Sequence, residues 1–266
     1  MTLTYNRITC YFDSKSEIAN NLYQQITQKY PMIGKRTGNA APAYGKELIL
    51  VLGGDGMMLR ALHDFATLNC DLYGINLGSV GFLLNNLNLD LLLTKIEEAN
   101  RTELSPLEMK VETLEGKFER ALAFNEVSLL RYTSQTAKLA LYVNGIIRLE
   151  ELAGDGIMVS TPAGSTAYNA AAFGPIVPLK ANILLLTPIN PFRPRKLSSI
   201  LLSKNSLVTI EVLESEKRPV KAFADSYEIE SVKKVEVYER SDIKVSVLFD
   251  KELSLDERIL KEQFEK

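Results

Sequence analysis

Residues 47–52, ELILVL, are apolar almost throughout and show no alternation, and no other feature of the chain constrains its fold as strongly. A strand with one face in water alternates apolar and polar side chains, whereas an unbroken apolar run belongs to a strand covered on both faces, as in a parallel sheet. Parallel neighbours need crossovers long enough to carry a helix. The flanking sequence supplies them. Ile8–Phe12 reads as a first strand, and Asp13 or Ser14 can cap a helix with Ile18, Leu22 and Ile26 along one face. Residues 31–46 are rich in Pro, Gly and Ala and read as a loop. A helix is expected over Met57–Leu68, a strand over Leu72–Leu77, a glycine turn over residues 78–82 and a helix over Leu89–Ala99. Strands alternating with helices give a doubly wound, Rossmann-like α/β sheet.

Beyond residue 103 the pattern changes. Glu108–Leu114, Phe118–Ala123, Val127–Tyr132, Lys138–Val143 and Ile146–Glu150 all read as strands, the last two joined by Asn144-Gly145, a strong two-residue hairpin signal. Ile157–Thr161, Ile183–Leu186, Ser206–Leu213, Val220–Ala224, Lys234–Tyr238 and Lys244–Phe249 continue the series, and helical periodicity is nearly absent. The expected organisation is an α/β domain over residues 1–103, a β-rich sandwich domain over 104–249, and a closing helix over 250–266 that packs back on the first domain.

Composition narrows the chemistry. The formal net charge of −2 over 266 residues gives no extended footprint for nucleic acid. Cys10 and Cys70 are too few and too far apart for a disulfide framework or a CxxC site. The first residues lack a signal-peptide pattern, and no apolar run approaches the ~18 residues of a membrane span, so no membrane partner and a cytoplasmic setting are expected. The single histidine, His63, excludes a His-rich metal site; among Leu59, Leu62 and Phe65 it reads as structural.

Three stretches carry candidate chemistry. In GGDG, residues 53–56, Gly53, Gly54 and Gly56 let the backbone approach a ligand closely, and the helix that follows aims free N–H groups at the loop. Asp55 among them would repel phosphate unless it accepts a hydroxyl proton or helps hold a divalent cation; the plainer alternative is an Asp chosen for turn geometry. In GDGIMVSTPAGSTAYNAAAFG, residues 154–174, a strand runs through Pro162 into a short helix begun by Ser165 and Thr166, whose hydroxyls suit an adenine edge or a phosphate, while Tyr168 offers a stacking face. Such turns are also ordinary helix caps. Asn125-Glu126 could bond a ribose or help place a metal, or be loop surface. There is no GxxxxGK[ST] and no GxGxxG.

In this order, GGDG, NE and GDG…STPAGSTAYN resemble the NAD kinase family, with support from NLGSVGFL (76–83), TPINPFRPRKL (187–197) and ADS (224–226). The resemblance implies an α/β domain and a β-rich domain, and phosphorylation of the 2′-hydroxyl of the adenosine ribose of NAD by ATP or polyphosphate with Mg²⁺ or Mn²⁺. It implies that Asp55 is the base and that Gly53–Gly56 cradle phosphate. Arg60 would contact a phosphate of NAD, and Asn125 and Glu126 would hold the ribose region. Thr166, Ala167 and Tyr168 would line the adenine pocket, with Asn169 and Ala171 at its edge and Ser165 binding at the helix entry. Asp155 would reach the nicotinamide end across a subunit interface of a homodimer or homotetramer. No protein ligand for the metal is implied. Two positions depart from the family pattern: Met57 stands where many members have Thr, which bears on donor choice, and Ala163 stands where many have Thr, which loses a hydroxyl but not the helix entry. A lipid or sugar kinase sharing GGDG, or a non-catalytic dinucleotide-binding module, are the alternative readings.

Overall fold

The computed structural model describes residues 5–36, 46–78 and 81–251. Ser105–Asp242 form one compact unit, and the described chain on either side of that segment forms the other.

The first unit is built on a six-stranded sheet. Strands β1 (Arg7–Tyr11), β2 (Gly34–Lys35), β3 (Glu47–Gly53) and β4 (Cys70–Asn76) are parallel, and β5 (Asn100–Leu104) lies at the far edge. The spatial order is β2-β1-β3-β4, then the strand Val245–Phe249, then β5. Helix α1 (Glu17–Lys29) is capped by Ser16, whose hydroxyl accepts the Ala19 N–H at 3.3 Å. Its buried stripe is Ala19, Leu22 and Ile26, whereas Ile18, expected on that face, is 64% exposed. The later cap sets the helix phase, and the i, i+3, i+7 positions from Ala19 face the sheet. Leu48, Leu50 and Leu52 of β3 share a cluster with α1 and with Leu92 and Ile96 of α3 (Leu92–Glu98). Ile49 and Val51 point to the opposite face by strand alternation. The buried residues of α2 (Asp55–Phe65), Met58, Ala61, Leu62 and Phe65, stand outside that cluster, so helices cover both faces.

One expectation fails here. The strand at the end of the chain, Val245–Phe249, was expected among the β-rich domain's strands, but it lies between β4 and β5, parallel to one and antiparallel to the other. Val245, Val247, Leu248 and Phe249 are all buried, which a strand flanked on both edges and both faces allows. The helix expected over 250–266 lies outside the described residues apart from its first two positions.

The second unit holds two six-stranded antiparallel sheets. In chain order the strands are β6 (Leu107–Thr113), β7 (Phe118–Ala123), β8 (Glu126–Arg131), β9 (Ala137–Val143), β10 (Ile146–Gly154) and β11 (Gly156–Ser160). They continue with β12 (Ile183–Ile189), β13 (Ile200–Ser203), β14 (Val208–Val212), β15 (Val220–Ala224), β16 (Tyr227–Ile229) and β17 (Val232–Glu239). One sheet runs β10-β9-β14-β17-β6-β7 and the other β13-β12-β11-β8-β15-β16. Their inner faces share one apolar core that includes Leu107, Leu129, Leu139, Ile157, Val235 and Val237. The Asn144-Gly145 turn has φ of 53° and 76°, the left-handed pair that a two-residue hairpin requires.

Candidate active site

In the first unit β3 ends at Gly53, and Gly54 caps α2 with its carbonyl accepting the N–H groups of Met57 (2.9 Å) and Met58 (3.1 Å). The helix therefore starts two residues earlier than expected, and Asp55 belongs to its first turn, where a carboxylate meets the positive end of the helix dipole. A Cβ on Gly53 would lie 2.6 Å from Met57 Cβ, so that glycine serves the close approach of strand and helix. Gly54 and Gly56 face open space instead, leaving bare backbone toward solvent. Asp55 spans to a second segment: its Oδ2 accepts the Phe82 N–H at 3.0 Å and its Oδ1 the Leu83 N–H at 3.1 Å. Each oxygen keeps a further lone pair. The segment it holds is tied to β4, where the Asn85 N–H donates to the Gly74 carbonyl at 2.7 Å. Arg60 lies one turn along α2, its side chain 68% exposed and 3.9 Å from Asp64. His63 is half-buried on the same helix, as a structural residue would be.

The second unit gathers the other candidates around the start of β8. The Asn125 carbonyl accepts the Thr161 N–H at 2.9 Å and the Ser160 hydroxyl at 3.2 Å, and the Thr161 hydroxyl donates to the Phe124 carbonyl at 2.6 Å. A Cβ on Gly164 would fall 2.1 Å from the Asn125 carbonyl oxygen, so the STPAGS turn rests directly on the Asn125-Glu126 step. Asp225, in the turn between β15 and β16, receives the N–H groups of Phe124 (2.7 Å), Asn125 (3.0 Å) and Glu126 (3.1 Å). Glu126 carries a buried Oε2 with no hydrogen-bond partner. Burial first, and then the Asp225 charge, push its carboxyl up to about 8.

The residues after Pro162 form a 3₁₀ turn, Ala163–Thr166, and the short α4, Tyr168–Ala171. Two of the expected ligand-edge residues turn their polar atoms inward. Ser165 is fully buried, donating to the Pro162 carbonyl at 2.7 Å and accepting the Val177 N–H at 3.3 Å. Asn169 is equally buried, with both amide hydrogens on the Ser165 and Pro175 carbonyls and its oxygen on the Thr187 hydroxyl at 2.6 Å. Side chains bonded in this way hold the turn in place. Thr166 and Ala167 are half-buried, while Tyr168 and Ala171 are exposed. Tyr168 and Ala171 line a cavity of about 590 Å³, closed on its other side by Pro188, Ile189, Asn190 and Leu197. Burial, and then the charges of Asp155 and Glu126, raise the Tyr168 phenol above its ordinary range. Asp155 reaches the cavity wall through Asn190, whose amide donates to Oδ2 at 2.9 Å, and pairs with Arg131 at 2.6 Å. The Asn190 hydrogen bond and the Arg131 cation hold its carboxyl below the usual range.

Sequence reasoning missed three contributors. Asp225 lay in the noted ADS stretch but carried no assigned role; Asn190 and Thr187 lay in TPIN, likewise without one. Among the described residues, no group of three His, Cys, Asp or Glu converges as a metal site.

The chain matches two family profiles, the ATP-NAD kinase N-terminal domain over residues 8–98 and the ATP-NAD kinase C-terminal domain over residues 124–247. It is similar to the NAD kinase of Brucella suis, with 49% identity over 230 residues covering 86% of this chain and 89% of the relative. It is also similar to the NAD kinase of Hyphomonas neptunium, with 44% identity over 254 residues and 96% of each chain covered. Among solved structures, yeast NADH kinase complexed with NADH shares the fold at a TM-score of 0.78 and 19% identity, over 98% of this chain and 87% of the other. An NAD kinase from Archaeoglobus fulgidus in complex with ATP gives a TM-score of 0.73 at 21% identity, over 92% and 94%.

Proposed function

This chain belongs to the NAD kinase family, and from that membership we propose how its residues carry the transfer. Its function is that of an NAD kinase, a phosphotransferase acting on an alcohol. The γ-phosphoryl group of ATP, or the terminal group of polyphosphate, passes to the 2′-hydroxyl of the adenosine ribose of NAD. The 2′-oxygen bonds to phosphorus, the bond to the leaving oxygen of ADP breaks, and the hydroxyl proton goes to Asp55. The observation that carries this assignment is the setting of Asp55: each oxygen takes one backbone N–H, which fixes its direction while leaving lone pairs for a proton. Beside it, Gly54 and Gly56 leave main-chain donors unobstructed for phosphate.

Mg²⁺ or Mn²⁺ fits as a companion of the nucleotide, because no three-ligand cage exists among the described residues and both Asp55 oxygens already hold N–H groups. When bound, the cation neutralises phosphate oxygens. Arg60, exposed and only loosely engaged with Asp64, is free to turn toward a phosphate. Asn125, Glu126, Thr166, Ala167, Tyr168 and Ala171 take the adenosine portion, and Asp155 the far end of the dinucleotide, with Ser165 and Asn169 as the frame behind them. A homodimer or homotetramer is supported by Phe173 at the cavity rim, 94% exposed, and by Phe192, 59% exposed. Buried free thiols at Cys10 and Cys70, both pushed up to about 12 by burial, suit the reducing cytoplasm. The test is to incubate the protein with ATP, Mg²⁺ and NAD and to measure NADP with an NADP-specific dehydrogenase. No NADP above a protein-free control would overturn the reading.

A further inference from the structure

The reading above leaves the carboxylate of Asp225 without a task. It sits at a hairpin tip with φ of 50°, a left-handed conformation that Asp tolerates better than most residues. From there it collects three consecutive backbone N–H groups, those of Phe124, Asn125 and Glu126, which lie about a hundred residues earlier in the chain. Such a set of converging N–H groups is an anion nest, and here the protein fills it with its own side chain. The turn it closes is the one that carries Asn125 and Glu126. Glu126 emerges from it with a buried Oε2 that no hydrogen-bond donor or acceptor meets.

We infer that Asp225 is a positioning residue for the dinucleotide: by holding the turn into β8 it presents the unpartnered Glu126 oxygen to a ribose hydroxyl. The inference rests on the functional reading above. An oxygen buried without a partner is costly unless a ligand completes it. The surroundings also decide which form Glu126 takes. Asp225 is the charge that acts on it from the β15–β16 turn; Ser160, its neighbour in register on β11, is uncharged, and Tyr168 approaches from α4 as a neutral phenol. On the facing strand β6, Glu108 is engaged by Arg240 and Tyr238, and Lys110 lies over the Tyr238 ring. Burial and the Asp225 charge together keep the proton on Glu126 through neutrality, its carboxyl pushed up to about 8. A neutral acid can donate to a ribose oxygen.

The test is NAD binding by calorimetry from pH 6 to 9.5 for the wild-type protein, Glu126→Gln, Asp225→Asn and Asp225→Ala, with thermal melts of each. For the wild type, Kd should rise by roughly tenfold between pH 7 and 9, as Glu126 loses its proton. Glu126→Gln, permanently neutral, should remove that rise. Asp225→Asn keeps the Oδ1 position that receives the Asn125 and Glu126 N–H groups but removes the charge and the acceptor of the Phe124 N–H, so the melting temperature should fall and the break should move to lower pH. A residue that only stabilised the fold would not move the break. Asp225→Ala should raise KM for NAD more than Asp225→Asn does, and a collapse of its melting temperature would still leave the Asn variant decisive. An unmoved break in Asp225→Asn, or an unchanged one in Glu126→Gln, overturns the inference. If the wild-type protein makes NADP while either result holds, the inference fails alone; if it neither binds NAD nor makes NADP, the functional reading fails as well.

Discussion

Replacing Asp55 by Asn separates the anchoring seen in the structure from the base chemistry proposed above. The carboxylate takes the Phe82 N–H at 3.0 Å and the Leu83 N–H at 3.1 Å, one on each oxygen. Asn keeps a single acceptor and turns an NH₂ toward the other N–H. One charge-assisted bond is lost outright, at a cost of about 1.5–3 kcal/mol. Expressed entirely in the rate, that loss is roughly 10- to 150-fold. Removing a general base costs typically ~10²–10⁴-fold. The two losses together should lower kcat by more than about 10³-fold at saturating Mg²⁺ and substrates. The assay pairs kcat, measured across a Mg²⁺ titration, with amide hydrogen exchange at Phe82 and Leu83. Faster exchange at those amides with a rate loss under about 150-fold would assign Asp55 to anchoring and remove it as the base. A variant within about threefold of wild type would remove both the base and any kinetic importance of the anchored segment.

Other outcomes follow from the same geometry. Gly56→Ala meets open space, so its melting temperature should hold or rise while KM for ATP increases; Gly164→Ala, whose Cβ would lie 2.1 Å from the Asn125 carbonyl, should lose about 1–3 kcal/mol by denaturant titration. Glu126 titrates at about 8 in the folded protein against an ordinary 4.5. The folded state thus binds the extra proton between those values, and stability should fall as pH rises through that window, by up to about 1.4 kcal/mol per pH unit. Glu126→Gln should flatten that slope in urea melts at pH 5, 6, 7 and 8.

Much of the architecture was legible because its signals are local. The glycines and acid of GGDG sit beside a strand whose unbroken apolar run marks a parallel sheet, and Asn144-Gly145 announces its hairpin within two residues. Errors arose where partners are distant. Lys244–Phe249 has the same short apolar pattern as the strands before it, and nothing in those letters shows that Val247 pairs with Leu72. Ile18 fits a helical stripe as well as Ala19 does until the Ser16 cap fixes the phase. At the site, residue type suggested chemistry but could not give direction. Ser165 and Asn169 offer ligand-binding groups, yet both turn inward and exhaust them on Pro162, Pro175 and Thr187. The role of Asp225 was invisible for the same reason as the last strand: its three donors lie about a hundred residues away.

The placement of Val245–Phe249 bears on how the protein is made. A ribosome delivers β1 to β5 early, but the strand that joins β4 to β5 arrives only after Ser105–Asp242 has been synthesised. Until then β4 has a bare edge and β5 has no neighbour in its sheet, a state that invites pairing with other chains. The intervening unit has both of its sheets encoded within its own residues, so it can fold while the first sheet waits. Its two ends are also drawn together: Leu104 and Val245 stand opposite each other in the finished sheet, and the Arg240 N–H donates to the Pro106 carbonyl at 2.8 Å. The β-rich unit is thus a long insertion between two adjacent strands, and a nascent chain stalled before Val245 would carry a folded insertion on an unfinished host.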